Sequence, residues 1–132
     1  MRKYVAGAAL VTSLLLSNPA DAENAPLKAA IVEARTSLAT MLGNPAMRGA
    51  DQQGTVKKTA DAVTEMLAKT KPPAGKEAAY KELTDTWAAF KKTREEELVP
   101  AIVAGRQADA DKIGLGIQKE RYDKMIAIVE AM

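Results

Sequence analysis

The sequence has 132 residues, of which 47% are hydrophobic and 27% are charged, and this composition is typical of one ordinary globular domain. The 19 basic and 17 acidic residues are spread along the chain and give a net charge of +2, so no basic stripe indicates nucleic-acid binding. Histidine and cysteine are absent, which excludes disulfide bonds and leaves packing to hold the fold together.

The N-terminal segment has the three parts of an export signal. A basic Arg-Lys pair follows the first methionine, residues 4–16 are an apolar run, and Ala-Asp-Ala at 20–22 is a small-x-small cleavage pattern. The run is shorter than the about 20 residues that a membrane-spanning helix needs, which favours a cleaved signal over an uncleaved anchor. We predict that residues 1–22 are removed after Ala22 and that residues 23–132 are periplasmic or secreted, without a membrane contact.

Past the signal, apolar residues recur every three or four positions in four segments, which is the helical period. The first helix is predicted from Pro26 to Gly43-Asn44-Pro45, and the second stops at Lys71-Pro72-Pro73-Ala74-Gly75, because proline and glycine do not continue a helix. The third ends at Gly105, where a left-handed cap would lie, and the fourth starts near Asp109. The predicted apolar faces are Leu27, Ile31, Ala34, Leu38 and Leu42; Val56, Ala60, Val63 and Leu67; Tyr80, Leu83, Trp87, Phe90, Leu98 and Ala101; Ala110, Ile113, Ile117, Met125 and Ile128.

Four amphipathic helices joined by short turns pack most simply around one core in up-down-up-down order. The sequence therefore predicts an all-α, antiparallel four-helix bundle. Pro100 removes the hydrogen bond to Glu96 and predicts a kink in the third helix. Gly114 and Gly116 each cost about 1 kcal/mol against alanine inside a helix. Either the helices approach closely at that level, or that end of the bundle is loose and could serve as a ligand entrance.

The second half of the chain resembles a known family. Residues 80–125, "YKELTDTWAAFKKTREEELVPAIVAGRQADADKIGLGIQKERYDKM", resemble the four-helix-bundle ligand-binding domain of methyl-accepting chemotaxis receptors in the late third helix, the Ala-Gly turn and the Asp/Ala-rich start of the fourth. This resemblance implies a sensor-like, ligand-binding bundle. The layout, with its Lys-Pro-Pro break, is also similar to periplasmic four-helix-bundle cytochromes, which hold haem with histidine. Because the chain lacks histidine and cysteine, we predict no cofactor, and a haem-binding relative is the remote alternative.

Three arginines lie on or beside the predicted apolar faces. At about 100° per residue, Arg94 and Arg121 fall inside the stripes of the third and fourth helices, and Arg35 flanks the stripe of the first. Counted from the predicted turns of an antiparallel bundle, all three stand at similar levels. Guanidinium groups that converge inside a bundle repel one another unless carboxylates or a bound anion neutralise them.

The arginines therefore predict a binding site for a small anion such as a carboxylate, which suits bidentate guanidinium donors. Hydroxyl groups on the second helix would add donors, and aromatic rings on the third would form an apolar floor. The candidate ligand-binding residues are Arg35, Arg94, Arg121, Trp87, Tyr80, Thr59 and Thr64.

The same residues have a plainer interpretation. Each arginine can lay its stem across apolar side chains and pair its head with Glu97 or Glu120 at the edges of the stripes, while Trp87 and Phe90 belong to the core. The protein would then be a structural or interaction protein that associates through its bundle faces, for example as a homodimer. Neither a di-iron Glu-x-x-His pair nor a nucleophile with a histidine base is available, so we predict that the chain is not an enzyme and holds no metal.

Overall fold

The computed structural model describes the backbone of residues 19–132 and the side chains of residues 24–132. This part of the chain is all-helical and contains no strand, as predicted. The predicted export signal falls mainly on residues 1–18, outside the described residues. None of the described helices is both long and apolar enough to cross a membrane.

The described residues form four helical units. The first is α1 (Pro19–Gly43) and the second is α2 (Ala50–Lys69), with a 3-10 turn at Pro45–Met47 between them. The third is α3 (Glu77–Thr93), which continues through a π-helical turn (Arg94–Leu98) into α4 (Val99–Val103). The fourth consists of α5 (Gln107–Gly114) and α6 (Ile117–Ala131). The four predicted helices are therefore present, but the fourth is broken in two.

The first helix extends farther toward the N-terminus than predicted. Its described part runs from Pro19, so that Pro26 lies inside it and the predicted cleavage point after Ala22 lies within the same helix. Proline inside a helix removes only one backbone hydrogen bond and can be tolerated where packing holds the helix. Leu27, directly after Pro26, and Ile31, five residues after it, are fully buried and supply that packing.

The predicted disturbance at Pro100 takes the form of the π-helical turn. Proline has no N–H, and its ring would crowd the carbonyl of Glu96 in a regular α-helix. In the turn before it, the Val99 N–H donates to the Arg94 carbonyl five residues back, which is the π-helical pattern. The third unit then ends at Gly105, whose φ of 76° confirms the predicted left-handed glycine.

The break in the fourth unit results from its two glycines. A Cβ on Gly116 would lie 2.4 Å from the backbone oxygen of Lys112, and a Cβ on Gly114 would lie 2.9 Å from Cδ2 of Leu42. Gly114 is buried. Close approach is therefore the reason for Gly114, which favours packing over a loose end. The break also changes the helical phase, because Ile117, predicted to be buried, is 44% exposed.

Arg48 fastens the α1–α2 loop to two helix ends. Its Nε donates to the Met41 carbonyl at 2.7 Å and its Nη2 to the Leu42 carbonyl at 2.8 Å, both in the last turn of α1. Its Nη1 donates to the Ile102 carbonyl of α4 at 3.3 Å. The last carbonyls of a helix lack intrahelical donors and carry partial negative charge. One cation therefore caps α1 and α4 together.

The core consists of two apolar clusters. The first involves α1, α2, α3 and α6, and the second involves α1, α2, the π-helical turn, α4 and α5. The buried residues of the first are Leu27, Ile31, Ala34, Ala60, Val63, Leu67, Leu83, Trp87, Phe90, Met125, Val129 and Met132. Those of the second are Leu38, Met41, Val56, Leu98, Ala101, Ile102 and Ala110.

Candidate functional site

Arg94 lies where the two apolar clusters meet. It is 1% exposed and is the largest fully buried side chain of the described residues. Its Nη1 donates to the carbonyl of Ala34 at 2.8 Å, and its Nη2 donates to the carbonyl of Val56 at 2.6 Å. Ala34 belongs to the first cluster and Val56 to the second. The guanidinium of α3's π-helical extension therefore cross-links α1 and α2.

Two hydroxyl groups close a ring with Arg94. Ser37 Oγ donates to the Ala34 carbonyl at 2.9 Å, and Thr59 Oγ1 lies 3.1 Å from the Val56 carbonyl. The two hydroxyl oxygens are 2.9 Å apart. The Ala34 carbonyl accepts from both Arg94 and Ser37, whereas the single Thr59 proton has three possible acceptors: the Val56 carbonyl, Ser37 Oγ and the Thr55 carbonyl at 2.9 Å.

The Arg94 ring contains no carboxylate, so the charge of the arginine is offset only by neutral oxygens. Burial lowers the pKa of Arg94 to about 10, against a smaller opposing effect of Glu95. This value leaves the side chain cationic near neutral pH. A buried charge held by neutral acceptors fixes the helices through directional hydrogen bonds rather than through an ion pair.

Arg121 has a different environment. Its Nη1 donates to Thr93 Oγ1 at 2.8 Å, to Gln118 Oε1 at 2.9 Å and, more weakly, to the Ala89 carbonyl at 3.4 Å. Its Nε and Nη2 have no partner among the described residues. The buried side-chain atoms without a hydrogen-bond partner among the described residues are Asn24 Nδ2 and Arg35 Nη1. Nε and Nη2 of Arg121 are not among them, so this edge of the guanidinium is open to solvent.

Arg121 lines a groove of about 650 Å³ between α3 and α6. The groove carries three cationic and three acidic side chains. Two ion pairs cancel four of these charges, Lys81 with Asp85 at 2.7 Å and Lys124 with Glu82 at 2.9 Å. The lining residues are Ala78, Lys81, Glu82, Asp85, Thr86, Ala89, Ile117, Glu120, Arg121 and Lys124.

Arg35 is separate from both arginines. Its guanidinium carbon lies 4.7 Å from the centre of the Tyr122 ring, a cation–π contact between α1 and α6. It borders neither the Arg121 groove nor the smaller cavity beside Arg94, of about 370 Å³. The three predicted arginines therefore share no hydrogen-bond partner. The helical wheel gives the direction of each side chain from its own helix, but not which neighbouring helix it meets.

The other predicted site residues make contacts within the protein. Trp87 Nε1 donates to Thr64 Oγ1 at 3.0 Å, and the Tyr80 hydroxyl donates to the Leu67 carbonyl. Thr59 belongs to the Arg94 ring. These bonds join α3 to α2 and α2 to α1. Trp87 is 3% exposed and packs with Phe90 at a ring distance of 5.6 Å, so both rings belong to the core.

The ion pairs suggested for Arg94 and Arg121 are not formed among the described residues. Glu97 and Glu120 make no ion pair with a described cation, and both Arg94 and Arg121 use neutral acceptors instead. A buried arginine can accept this arrangement because backbone carbonyls in a helix retain a second lone pair. In the same part of the chain, no three acidic side chains gather as metal ligands would.

Gln118 is the functional candidate that the sequence reasoning missed. It is 2% exposed, and its Nε2 donates to the Phe90 carbonyl at 2.9 Å while its Oε1 accepts from Arg121. The signal for it was present, because Gln118 precedes the buried Met125 and Val129 by seven and eleven residues, which is one helical face. The predicted apolar face of the fourth helix instead includes the neighbouring residue Ile117, and Gln118 therefore falls outside it.

The chain matches no protein-family model, no curated protein and no solved structure.

Proposed function

We propose that this protein is an exported, sensor-like helical bundle that binds a small anionic solute, such as a carboxylate, without catalysing a reaction. The proposed site is the α3–α6 groove, with Arg121 as the anion donor. The observation that carries the proposal is the geometry of Arg121: Nη1 is held by three neutral oxygens, the Nε and Nη2 edge has no partner among the described residues, and the residue lines the groove. This edge is the one that binds a carboxylate through two parallel hydrogen bonds.

The groove is neutral as a whole, so the proposal depends on Arg121 as a local anion donor and not on the net charge of the groove. The two lysine–carboxylate pairs leave Arg121 and Glu120 as the lining charges outside any ion pair of the described residues. The hydrogen-bond partners of Arg121 are neutral, so none of them compensates its charge. The side chain is only half-buried, so an incoming carboxylate exchanges part of its hydration for two charge-assisted bonds.

In this proposal Arg94 acts indirectly. Both of its terminal nitrogens are bonded to backbone carbonyls of α1 and α2. The residue before it, Thr93, is a partner of Arg121. The buried ring around Arg94 therefore holds the segment of α3 against which Arg121 rests, and Arg35 contacts the ring of Tyr122, the residue after Arg121.

We also propose the up-down-up-down antiparallel order for the bundle. Lys28, in the N-terminal half of α1, pairs with Glu130 at the end of α6 at 2.6 Å. Arg48 bonds to the last turns of both α1 and α4. Lys124 of α6 pairs with Glu82 of α3. Each contact joins the helix ends that this order would bring together.

Export is supported by the N-terminal sequence alone, with its basic start, apolar run and Ala-Asp-Ala pattern. The intact mass of the protein taken from the compartment to which it is exported tests this part. A chain that begins at Glu23 is expected, and an N-terminal methionine in that fraction would contradict the predicted cleavage.

The binding proposal is tested in two steps. A native mass spectrum of the gently purified protein is expected to contain additional small-molecule mass, which identifies the ligand class. Calorimetric titration with that ligand, or with acetate and succinate, then compares the wild type with Arg121→Gln. We expect a loss of affinity of about tenfold or more, since two charge-assisted bonds are removed.

Arg106→Gln is the matched control for that titration. Arg106 is an exposed arginine that pairs with Asp109 at 3.4 Å and lies outside the groove, so it produces the same change in net charge elsewhere. Its affinity should stay within about twofold of the wild type. Equal affinities of Arg121→Gln and the wild type would remove Arg121 from the site.

Exposed apolar side chains favour a second candidate function, association with a second copy of the chain. Val103, Leu115 and Ile117 are 50%, 60% and 44% exposed. Val103 ends α4, and the other two flank Gly116 between α5 and α6. Light scattering across a dilution series tests this candidate. A dimer that Leu115→Ser dissociates would support it, and a monomer at all concentrations would exclude it.

A further inference from the structure

Gln118 is a fully buried amide that bonds to two different elements. Its Nε2 donates to the Phe90 carbonyl of α3, and its Oε1 accepts from Nη1 of Arg121, three residues later on α6. The bond to a carbonyl determines the orientation of the amide, because only the nitrogen end can donate there. The oxygen is therefore directed at Arg121 and cannot exchange places with the nitrogen without losing both bonds.

The chemical type of this partner matters for the charge of the site. A carboxylate in the same place would orient the guanidinium equally well, but it would also neutralise it. An apolar side chain would leave the charge intact, but the guanidinium would lose its best-buried acceptor. A glutamine holds Nη1 and leaves the positive charge uncompensated.

We infer that Gln118 is the positioning residue of the anion site: it orients the Arg121 guanidinium toward the α3–α6 groove and keeps its charge available to the ligand. This inference rests on the proposed function, which it deepens. Thr93 Oγ1 is the second fixed acceptor, and the Ala89 carbonyl at 3.4 Å is a weak third. Of these three acceptors, Gln118 is the one that is fully buried and whose amide nitrogen is itself bonded, to the Phe90 carbonyl.

The test uses two readouts on the mature chain. Nitrogen-15 NMR of the Arg121 Nε–H reports how restricted the guanidinium is without any ligand, and titration with acetate and succinate gives Kd. In Gln118→Met we expect a more mobile Arg121 guanidinium and a Kd raised about fivefold to tenfold, since one of two strong acceptors is lost. In Gln118→Glu we expect an ordered guanidinium and a Kd raised about tenfold or more, because the new carboxylate neutralises it.

Gln53→Met is the matched control. Gln53 is only partly buried, but it too donates its amide to a carbonyl, that of Arg48, and it lies on α2 outside the Arg121 groove. It should leave the Arg121 signal and the Kd unchanged. Thermal unfolding of each variant separates a general loss of fold from the specific effect, and Gln118→Met carries the test if Gln118→Glu does not fold.

The outcomes distinguish the inference from the function on which it rests. A Gln118→Met variant with an unchanged Arg121 signal overturns the positioning role, whatever happens to Kd. A variant whose Arg121 becomes mobile while Kd stays at the wild-type value overturns it as well. If the wild type binds neither acetate nor succinate, yet Gln118→Met frees the Arg121 guanidinium, the positioning role stands and carboxylate binding by the groove is wrong.

Discussion

At the scale of single residues, the two arginines on the apolar stripes differ in their burial and in their hydrogen-bond partners. Arg94 donates to two backbone carbonyls and is closed off from solvent, whereas Arg121 keeps one edge free and lines a groove. The difference follows from what each side chain meets. Arg94 reaches helices α1 and α2 whose carbonyls are already shared with Ser37 and Thr59. Arg121 meets one helix, α3, on one side only.

The buried ring makes Arg94 a large contributor to stability. Arg94→Ala removes two charge-assisted bonds and leaves a cavity between the two apolar clusters, so we expect the free energy of unfolding to fall by about 3–5 kcal/mol. Urea unfolding followed by Trp87 fluorescence measures the change. Arg106→Ala, an exposed arginine, should change it by less than about 0.5 kcal/mol. A loss below about 1 kcal/mol for Arg94→Ala would contradict the structural importance of the ring.

At the scale of the helices, the two irregular turns differ in their effect on which residues face the core. The π-helical turn before Pro100 spans Arg94–Leu98; its two end residues are both buried, as their spacing of four predicts, and Ala101 and Ile102 beyond the turn are buried as well. The break at Gly116 changes the phase of the fourth unit, so that Gln118 is buried and Ile117 is exposed. Each irregularity coincides with a proline or a glycine, whose positions were visible in the sequence.

The glycines of this chain should differ sharply in their tolerance of alanine. Gly116→Ala would place Cβ 2.4 Å from the Lys112 backbone oxygen, which a side-chain movement cannot relieve. We expect it to lower the free energy of unfolding by about 2–3 kcal/mol. Gly54 lies inside α2 with nothing within 4 Å of its Cβ position, so Gly54→Ala should raise it by about 0.5–1 kcal/mol.

Chemical denaturation of the two alanine variants measures both changes under one set of conditions. Gly114→Ala is an intermediate case, because its Cβ would meet only the end of the flexible Leu42 side chain at 2.9 Å. Equal effects of Gly54→Ala and Gly116→Ala would show that the α5–α6 break does not depend on the missing side chain.

At the scale of the whole molecule, two exposed ion pairs support the proposed order of the helices. Lys28 with Glu130 joins α1 to α6, and Lys124 with Glu82 joins α6 to α3. Exposed pairs of this kind add little stability, about 0–1 kcal/mol. Their value lies in the distances that they imply between helix ends.

Zero-length carbodiimide cross-linking therefore tests the proposed antiparallel order. We expect mass spectrometry to identify amide links between Lys28 and Glu130 and between Lys124 and Glu82, which are 2.6 Å and 2.9 Å apart. The Lys28→Arg variant keeps the charge and removes the reactive amine, so it should lose only the first link. Links that instead join the start of α1 to the start of α6 would contradict the order.

The sequence by itself determined the helical character of the chain, the ends of its helices near Gly43, Lys69 and Gly105, and most of its buried apolar residues, because periodicity, proline and glycine act locally. It also placed Arg94 on an inward face. Only the tertiary structure decided that Arg94 bonds to Ala34 and Val56, that Arg121 turns to α3 instead, and that Gln118 lies between them. Those contacts depend on the arrangement of the helices around the core and on the phase change at Gly116, and a helical wheel drawn for one straight helix contains neither.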